Sequence, residues 1–187
     1  MATPRVPMLS PEEAAARAHD VGVPARLAAL NVFRTLLRRP RAARAVADLL
    51  MELLSGRALE HRLRELVIMR IGWSTGSDYE WTQHWTIAQE VFGLGAEDLL
   101  AVRDWDGSPR FSERERAVLT AADEILATGA VSSATAECCA GWIGEDALIE
   151  LVLSIGAWRS ISELARSLEI PLEDGVASWP PQGVPPR

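Results

Sequence analysis

One histidine and two glutamates have the residue types and spacing needed for proton transfer. In the segment DYEWTQHWTIAQEVF, Glu80 and His84 stand four residues apart, which places them on one stripe of a helix, one turn from each other. Ile87 and Val91 continue this inward row, whereas Thr82 lies on the face expected to meet solvent. A carboxyl group and an imidazole are costly to bury unless they pair or react, and burial moves pKa values towards neutrality. The spacing predicts an acid–base pair, with a purely structural ion pair as the alternative.

Glu65 supplies a second inward carboxyl group. It precedes the run LVIMRIGW, which is apolar on almost every side and therefore belongs to a buried helix. His61 lies one turn before Glu65 and is a candidate structural partner. Two carboxylates and a histidine could also hold a cation, but the spacing places neither His19 nor His61 beside His84. We therefore expect His84 and the two glutamates to act together without a metal ion or cofactor.

Neighbouring polar and aromatic residues are candidates for substrate contacts. Ser77 stands at the predicted N-terminus of a helix, where it could hydrogen-bond an anionic group. Arg70 and Arg159 interrupt apolar stretches, so each is either a site for negative charge or half of a structural salt bridge. Tyr79 is expected to pack first and to donate a hydrogen bond second. The aromatic residues that could line a pocket are Trp81, Trp85 and Trp158.

Other nucleophiles are poorly represented. The sequence contains no lysine, which excludes Schiff-base chemistry and a phosphate-loop lysine. Its two cysteines, Cys138 and Cys139, are adjacent and would point about 100° apart on a helix. We expect them to pack rather than to form a redox centre, which remains the alternative. No nucleophile-elbow motif supports Ser-His-Asp catalysis.

The composition bounds the class of protein. A chain of 187 residues with 48 % hydrophobic and 24 % charged residues fits one globular domain. The net charge of −7 argues against binding to nucleic acid, despite an arginine-rich stretch at residues 34–44. No apolar run reaches the ~20 residues of a membrane span, and the N-terminus lacks the apolar core of a signal peptide. We expect a soluble, cytoplasmic protein that does not bind a membrane.

Helix signals dominate the chain, and alternating strand patterns are absent. We predict an all-α bundle of about seven or eight helices. A flexible N-terminus should occupy residues 1–9, a single helical domain residues 10–170, and a Pro-rich extended tail residues 171–187. The predicted helices span residues 11–19, 24–39, 40–55, 59–73, 78–92, 112–128, 134–142 and 146–168.

Two segments carry a family resemblance. The segment RLRELVIMRIGWSTGSDYEWTQHWTIAQEVFGLGAEDL, residues 62–99, resembles the carboxymuconolactone decarboxylase and alkyl hydroperoxidase D-like family. The segment ALIELVLSIGAWRSISELARSLEIPLEDG, residues 147–175, is similar to its closing helix, so the resemblance covers roughly residues 25–175. It implies a compact helical bundle that assembles as a homo-oligomer, a trimer or hexamer, with its pocket near a subunit boundary.

The resemblance also implies which chemistry is absent. Peroxidase members carry a glutamate, a Cys-x-x-Cys pair and a following histidine. Glu65 and His84 match the glutamate and histidine, whereas Ser77 and Glu80 stand at the two cysteine positions. Neither can form the thiolate that peroxide reduction requires, so we expect no peroxidase activity. The decarboxylase branch has a glutamate four residues before the histidine, as in Glu80 and His84.

These observations lead to a functional hypothesis. We expect a cofactor-free decarboxylase, lyase or isomerase that acts on a small oxygenated organic acid, lactone or enone. His84 would move the proton, Glu80 would pair with it or take the proton from the other side, and Glu65 would orient it or relay. The alternatives are a non-catalytic ligand-binding or scaffold protein that retains the fold, and a redox protein that uses Cys138 and Cys139.

Overall fold

The computed structural model describes residues 4–186, and the regular secondary structure of this part of the chain is helical, with no strand. The all-α prediction is confirmed. The ten α-helices are α1 (Pro11–Val21), α2 (Ala25–Ala28), α3 (Asn31–Leu36), α4 (Pro40–Ser55), α5 (His61–Thr75), α6 (Asp78–Glu90), α7 (Ala96–Ala101), α8 (Glu113–Thr128), α9 (Ser133–Ile143) and α10 (Glu145–Ser167), and a 3-10 helix, Val102–Asp104, follows α7. Among the described residues, no helix is long and apolar enough to cross a membrane.

Local sequence signals explain where several helices begin. At the start of α8, the Ser112 hydroxyl accepts from the Glu115 N–H, and the Glu115 carboxylate accepts from the Ser112 N–H. The Ser10 and Glu13 pair makes the same reciprocal contact at α1. These capping boxes satisfy backbone donors that have no partner inside the helix.

The region predicted as one helix over residues 24–39 is two short helices, α2 and α3. Leu30 between them is extended, with φ −73° and ψ 139°. Asn31 is held by distant groups, because its N–H donates to Glu173 and its side-chain amide donates to the carbonyl groups of Pro171 and Leu172. Such contacts override local helix propensity and cannot be read from periodicity.

The chain divides into two compact units. The first comprises the chain up to Ser55 together with Glu163–Val176. Within it, the Arg44 guanidinium pairs with Asp48 and donates to the carbonyl group of Val21, which joins α4 to the end of α1. Of the predicted flexible N-terminus, residues 1–3 lie outside the described part, while Leu9 is buried. The single-domain prediction for residues 10–170 stays a prediction.

The second unit comprises Gly56–Ser162 and the chain from Ala177 onward, and it contains the predicted site. Helix α5 packs on α6 and α8, and α8 packs on α9. The core is centred on fully buried Trp81, with further contributions from Leu66, Met69, Leu99 and Leu119.

The C-terminal tail closes one side of this core. The Trp179 N–H donates to Asp78 Oδ1 at 2.9 Å and to Thr82 Oγ1 at 3.2 Å, and the Trp81 indole donates to the Pro180 carbonyl group at 2.8 Å. The tail therefore buries Thr82, which is 2 % exposed. The prediction that Thr82 faces solvent is wrong because the tail covers that face of α6.

Candidate active site

A glycine allows the two site-bearing helices to approach closely. A Cβ atom at Gly72 would lie 2.9 Å from the Trp81 backbone nitrogen, closer than real Cβ atoms come to backbone. The Ser77 N–H donates to the Gly72 carbonyl group at 2.8 Å, and the Ser77 hydroxyl then caps α6 by accepting from the Glu80 N–H at 3.4 Å. This tight turn sets α6 against α5.

The central contact of the site joins Glu65 on α5 to His84 on α6. Glu65 Oε2 lies 2.8 Å from His84 Nδ1. Both residues are buried, with 0 % of Glu65 and 6 % of His84 exposed. A short charge-assisted contact in such surroundings fixes the ring orientation and favours a proton on Nδ1.

Arg64 hydrogen-bonds the carboxylate of Glu65. Its Nε and Nη2 atoms each donate to Glu65 Oε1 at 3.2 Å, and its Nη1 lies 3.0 Å from His61 Nδ1. The prediction that His61 partners Glu65 directly is therefore wrong, because the arginine stands between them. The sequence analysis missed Arg64, although its position directly before Glu65 and the apolar run LVIMRIGW indicated a buried charge that needs a partner.

Trp158 on α10 hydrogen-bonds the other nitrogen of the His84 ring. Its indole Nε1–H donates to His84 Nε2 at 2.9 Å, with the two rings edge to face. An indole nitrogen can only donate, so Nε2 must accept with its lone pair. The partners of the two nitrogens thus assign the neutral imidazole with its proton on Nδ1.

Glu80 lies beside the same nitrogen. Its Oε2 is 3.8 Å from His84 Nε2, and only 4 % of the residue is exposed. Burial raises the pKa of Glu80 from an ordinary 4.5 to about 7, with the charge of His84 opposing the rise and that of Glu65 adding to it. Glu80 is therefore a carboxyl group that can give or take a proton near neutral pH.

Two influences oppose each other at His84. Burial disfavours the charged ring, but the charge and hydrogen bond of Glu65 outweigh burial and raise the pKa of His84 above its ordinary value. The Trp158 contact acts in the opposite direction, because protonating Nε2 would set two N–H donors against each other. Glu65 therefore favours the protonated ring, whereas Trp158 favours the neutral one.

The other residues that the sequence predicted in or near the site differ in their burial and in their partners. Ser77 caps α6 and is fully buried, and Tyr79 is 4 % exposed. Trp81 is bound to the tail, and Trp85 stacks on it with ring centroids 6.0 Å apart. Val91 is 67 % exposed, because α6 ends at Glu90; its predicted inward position is wrong.

Arg70 forms a salt bridge with a carboxylate of the protein. Its Nε and Nη2 atoms bind the two Asp123 carboxylate oxygens at 2.7 and 2.9 Å, and its Nη1 donates to the carbonyl groups of Val102 and Arg103. It also lies five residues beyond Glu65, about 140° around α5. These contacts match the structural salt bridge of the two predicted alternatives.

The cysteines do not resemble a reactive pair. Cys138 is exposed and Cys139 is buried, with its Sγ donating to the Ala117 carbonyl group. Burial raises the pKa of Cys139 to about 11, with smaller contributions from Cys138 and Glu124. Such a thiol is a poor nucleophile at neutral pH. Within residues 4–186, no group of three or more His, Cys, Asp and Glu side chains could hold a metal ion.

Comparisons with known proteins show what this chain is similar to. The model of the carboxymuconolactone decarboxylase family matches residues 40–124. Among solved structures, a protein of unknown function from Agrobacterium tumefaciens, suggested to be the antioxidant defence protein AhpD, is 26 % identical; the match covers 72 % of this chain and 93 % of that one, with a TM-score of 0.65. Among curated protein sequences, none matches this chain.

Two further structures share the fold over nearly the whole chain. A peroxidase-related protein from Ralstonia eutropha JMP134, described as an alkylhydroperoxidase AhpD core, has 19 % identity, a TM-score of 0.76 and 99 % coverage of both chains. A variant of the debrominase Bmp8 in complex with 2,3,4-tribromopyrrole has 19 % identity and a TM-score of 0.74, covering 93 % of this chain and 94 % of that one. Residues 40–124 therefore match the model of the carboxymuconolactone decarboxylase family, the family that the sequence resembles, and the chain has the fold of alkyl hydroperoxidase D-like proteins.

Proposed function

We propose that this chain is an acid–base enzyme that moves a proton between carbon atoms of a small oxygenated organic molecule, without a cofactor. One observation carries the proposal: a buried row in which Glu65 binds Nδ1 of His84 and Glu80 lies beside Nε2. Two carboxyl groups with different surroundings flank one imidazole, an arrangement that separates an acid from a base.

The contacts give each group a role. Neutral His84 removes a proton from the carbon next to a carbonyl group through Nε2, once the substrate displaces Trp158 from that nitrogen. The Glu65 carboxylate stabilises the imidazolium that forms. Glu80, with a pKa of about 7, is partly protonated at neutral pH and delivers its proton to a second carbon of the resulting enolate.

The cycle balances without any other reactant. One proton leaves carbon for His84 Nε2, and another passes from the Glu80 carboxyl group to carbon. The ring proton then returns to Glu80 across the 3.8 Å that separates Nε2 and Oε2. The product is an isomer of the substrate. In a decarboxylation, loss of CO₂ would produce the enolate, and protonation of carbon would follow in the same way.

The comparisons support a small organic substrate. The model of a decarboxylase family matches residues 40–124, and a variant of the debrominase Bmp8, whose fold this chain shares, forms a complex with 2,3,4-tribromopyrrole, a small ring compound. The sequence has no Cys-x-x-Cys pair at residues 77–80. The chemistry we propose therefore uses carboxyl and imidazole groups in place of thiolates.

A second candidate function is ligand binding without catalysis. It is favoured by the hydrogen bonds to both nitrogens of His84, since Glu65 and Trp158 satisfy the ring without a substrate. A site whose groups are internally satisfied could serve recognition alone.

Isomerisation of α-angelica lactone tests the proposal. This γ-lactone becomes its β isomer when a proton leaves the carbon next to the carbonyl group and one is added at the far end of the enolate. The reaction is followed by proton NMR, and deuterium incorporation in D₂O reports enolate formation. We expect the wild type to accelerate both, and Glu80→Gln and His84→Gln each to lose at least about 100-fold.

Glu90→Gln is the matched control, because Glu90 is exposed at the end of the same helix. It should retain full activity. Rates that are equal in the wild type and the His84→Gln variant would contradict the proposal. Binding of the lactone to the wild type without deuterium incorporation would favour the ligand-binding function.

A further inference from the structure

Helix α10 has an exposed apolar face. Ile149, Val152 and Leu153 are large aliphatic residues, yet they are 61 %, 39 % and 50 % exposed. Gly156 and Ser160 continue the same stripe over the next turns of the helix, and both are exposed. These five residues form the α10 face. Single exposed apolar residues are ordinary on a protein surface, but a contiguous row of them marks an interaction site.

The spacing within the α10 face is that of a helix that packs on another helix. Its members follow one another at intervals of three and four residues, the period of one helix side. Elsewhere in residues 4–186, the large exposed apolar residues are isolated from one another in the sequence: Leu49, Val91, Trp142, Val176 and Val184. The α10 face is therefore the surface to examine for a partner.

The α10 face is complementary to itself when a second copy of the chain approaches in the antiparallel direction. Let the midpoint between Val152 and Leu153 lie on a twofold axis. Ile149 of each copy then stands opposite Gly156 of the other, because these two residues are equally far from the midpoint. Gly156 has no side chain, and a Cβ atom there would meet nothing within 4 Å. The glycine thus leaves room for the Ile149 side chain of the second copy.

The charges near the two ends of the face also match in this arrangement. Glu145 is exposed in the first turn of α10, and Arg159 is half-buried further along the helix, where its Nη1 donates to the Ile125 carbonyl group at 3.2 Å. Both lie on the same flank of the face. The twofold axis brings Glu145 of one copy to within ~2 Å of the height of Arg159 of the other. A parallel arrangement would set like charges against each other.

We propose that the α10 face binds a second copy of this chain in an antiparallel contact with twofold symmetry. The same residues act on both sides of such a contact, and it closes after two copies. A ring of three copies has no twofold axis, so the contact fits a dimer or a hexamer made of two such rings. Trp158 lies on the side of α10 opposite to Ile149 and binds His84, so the second copy would support the helix behind the site. This inference does not depend on the proposed function.

The molar mass in solution tests the contact. Size-exclusion chromatography with light scattering should give the wild type the mass of two or six copies, and Ile149→Arg half of that mass. Because Ile149 is exposed in a single copy, the variant should keep the far-UV circular dichroism of the wild type. Val91→Arg is the matched control, since Val91 is 67 % exposed outside the face, and it should keep the wild-type mass. A wild type of one or three copies, or an unchanged mass of Ile149→Arg, would overturn the proposal.

Disulfide cross-linking tests the antiparallel register in a chain that keeps the rest of the contact. The exposed Cys138 is first replaced with Ser, which leaves only the buried Cys139. In this background, Leu153→Cys should form a covalent dimer on mild oxidation, because each Leu153 lies beside its counterpart at the twofold axis. Ser160→Cys should not, since its two copies would be ~22 Å apart along the helices, beyond the ~7 Å that a disulfide spans between Cα atoms.

Non-reducing electrophoresis measures both cross-links. Covalent dimers of Leu153→Cys without dimers of Ser160→Cys would support the antiparallel contact. Dimers formed equally fast by both variants would indicate parallel helices, and no dimer of Leu153→Cys would show that the two faces do not meet. Either of these last two results would overturn the proposal.

Discussion

The Trp158 indole donates its N–H to Nε2 of His84 across 2.9 Å, on the side of the ring opposite Glu65. This bond occupies the lone pair of Nε2 and favours the tautomer with the ring proton on Nδ1. A substrate must therefore replace Trp158 before His84 can act as a base. In the proposed reaction, the rate of proton transfer therefore depends on how readily this one hydrogen bond is exchanged.

Replacing Trp158 with Phe should raise the pKa of His84. The phenyl ring keeps the apolar surroundings but removes the donor that opposes protonation of Nε2, while Glu65 continues to favour the charged ring. One neutral hydrogen bond corresponds to a rise of about 0.5–1 pH unit. An NMR titration of the imidazole signals measures it, with His84→Gln to identify the resonance.

Trp142→Phe is the control for this change, since Trp142 is 53 % exposed at the end of α9. It should leave the titration of His84 unchanged. A pKa of His84 that stays the same or falls in Trp158→Phe would show that the indole does not stabilise the neutral ring.

Glu80 should make the protein less stable as the pH rises. Its pKa is about 7 in the folded chain against an ordinary 4.5, so the folded state binds the proton more tightly than the unfolded state. The stabilisation is complete below pH 4.5 and is lost as the pH rises through about 7. A difference of about 2.5 pH units corresponds to about 3 kcal/mol at most.

Urea unfolding between pH 4.5 and pH 8 measures this effect. The free energy of unfolding of the wild type should fall relative to Glu80→Gln across this range, whereas Glu90→Gln should follow the wild type. Parallel curves for the wild type and Glu80→Gln would show that burial does not perturb the carboxyl group.

The sequence predicts the part of the site that lies within one helix. Glu80 and His84 are four residues apart, so helical periodicity is enough to put them on the same face. The partners of the two ring nitrogens come from other helices, 19 residues away for Glu65 and 74 residues away for Trp158. Periodicity carries no information on such contacts. Glu65 was grouped with His84 because both were predicted to face inward, and the family resemblance then matched them to the glutamate and histidine of one motif.

The fold shows the same difference between local signals, which the sequence reveals, and distant contacts, which it does not. Helices with strong caps, such as α8 after Ser112, were predicted to within a residue because capping is local. The division of α2 from α3 depends on contacts of Asn31 with residues 171–173, and the burial of Thr82 depends on the tail around Trp179. Both errors arise where distant backbone and side-chain groups compete with local preference.

Glu65→Gln should destabilise the protein and lower the pKa of His84. The amide retains the shape of the carboxyl group but leaves the buried Arg64 charge without its counter-charge. Breaking a buried ion pair in this way usually costs about 3–5 kcal/mol. Loss of the Glu65 charge also removes the main influence that raises the pKa of His84.

Thermal unfolding and the imidazole titration measure the two effects of Glu65→Gln. Glu90→Gln, at an exposed position at the end of α6, is the control and should change neither quantity. A variant as stable as the wild type would indicate that Arg64 is balanced by other groups.

Two glycine substitutions should have opposite effects on stability. A Cβ atom at Gly72 would meet the backbone of Trp81 at 2.9 and 3.2 Å, so α5 and α6 would have to separate. We expect Gly72→Ala to lose about 1–3 kcal/mol of stability and to slow proton transfer, because the same separation would lengthen the Glu65–His84 contact. A Cβ atom at Gly156 meets nothing within 4 Å. Gly156→Ala should therefore gain about 0.5–1 kcal/mol from helix propensity, and chemical denaturation of both variants measures the difference. If Gly72→Ala is as stable and as active as Gly156→Ala, close approach of the helices at Gly72 is not what positions the site.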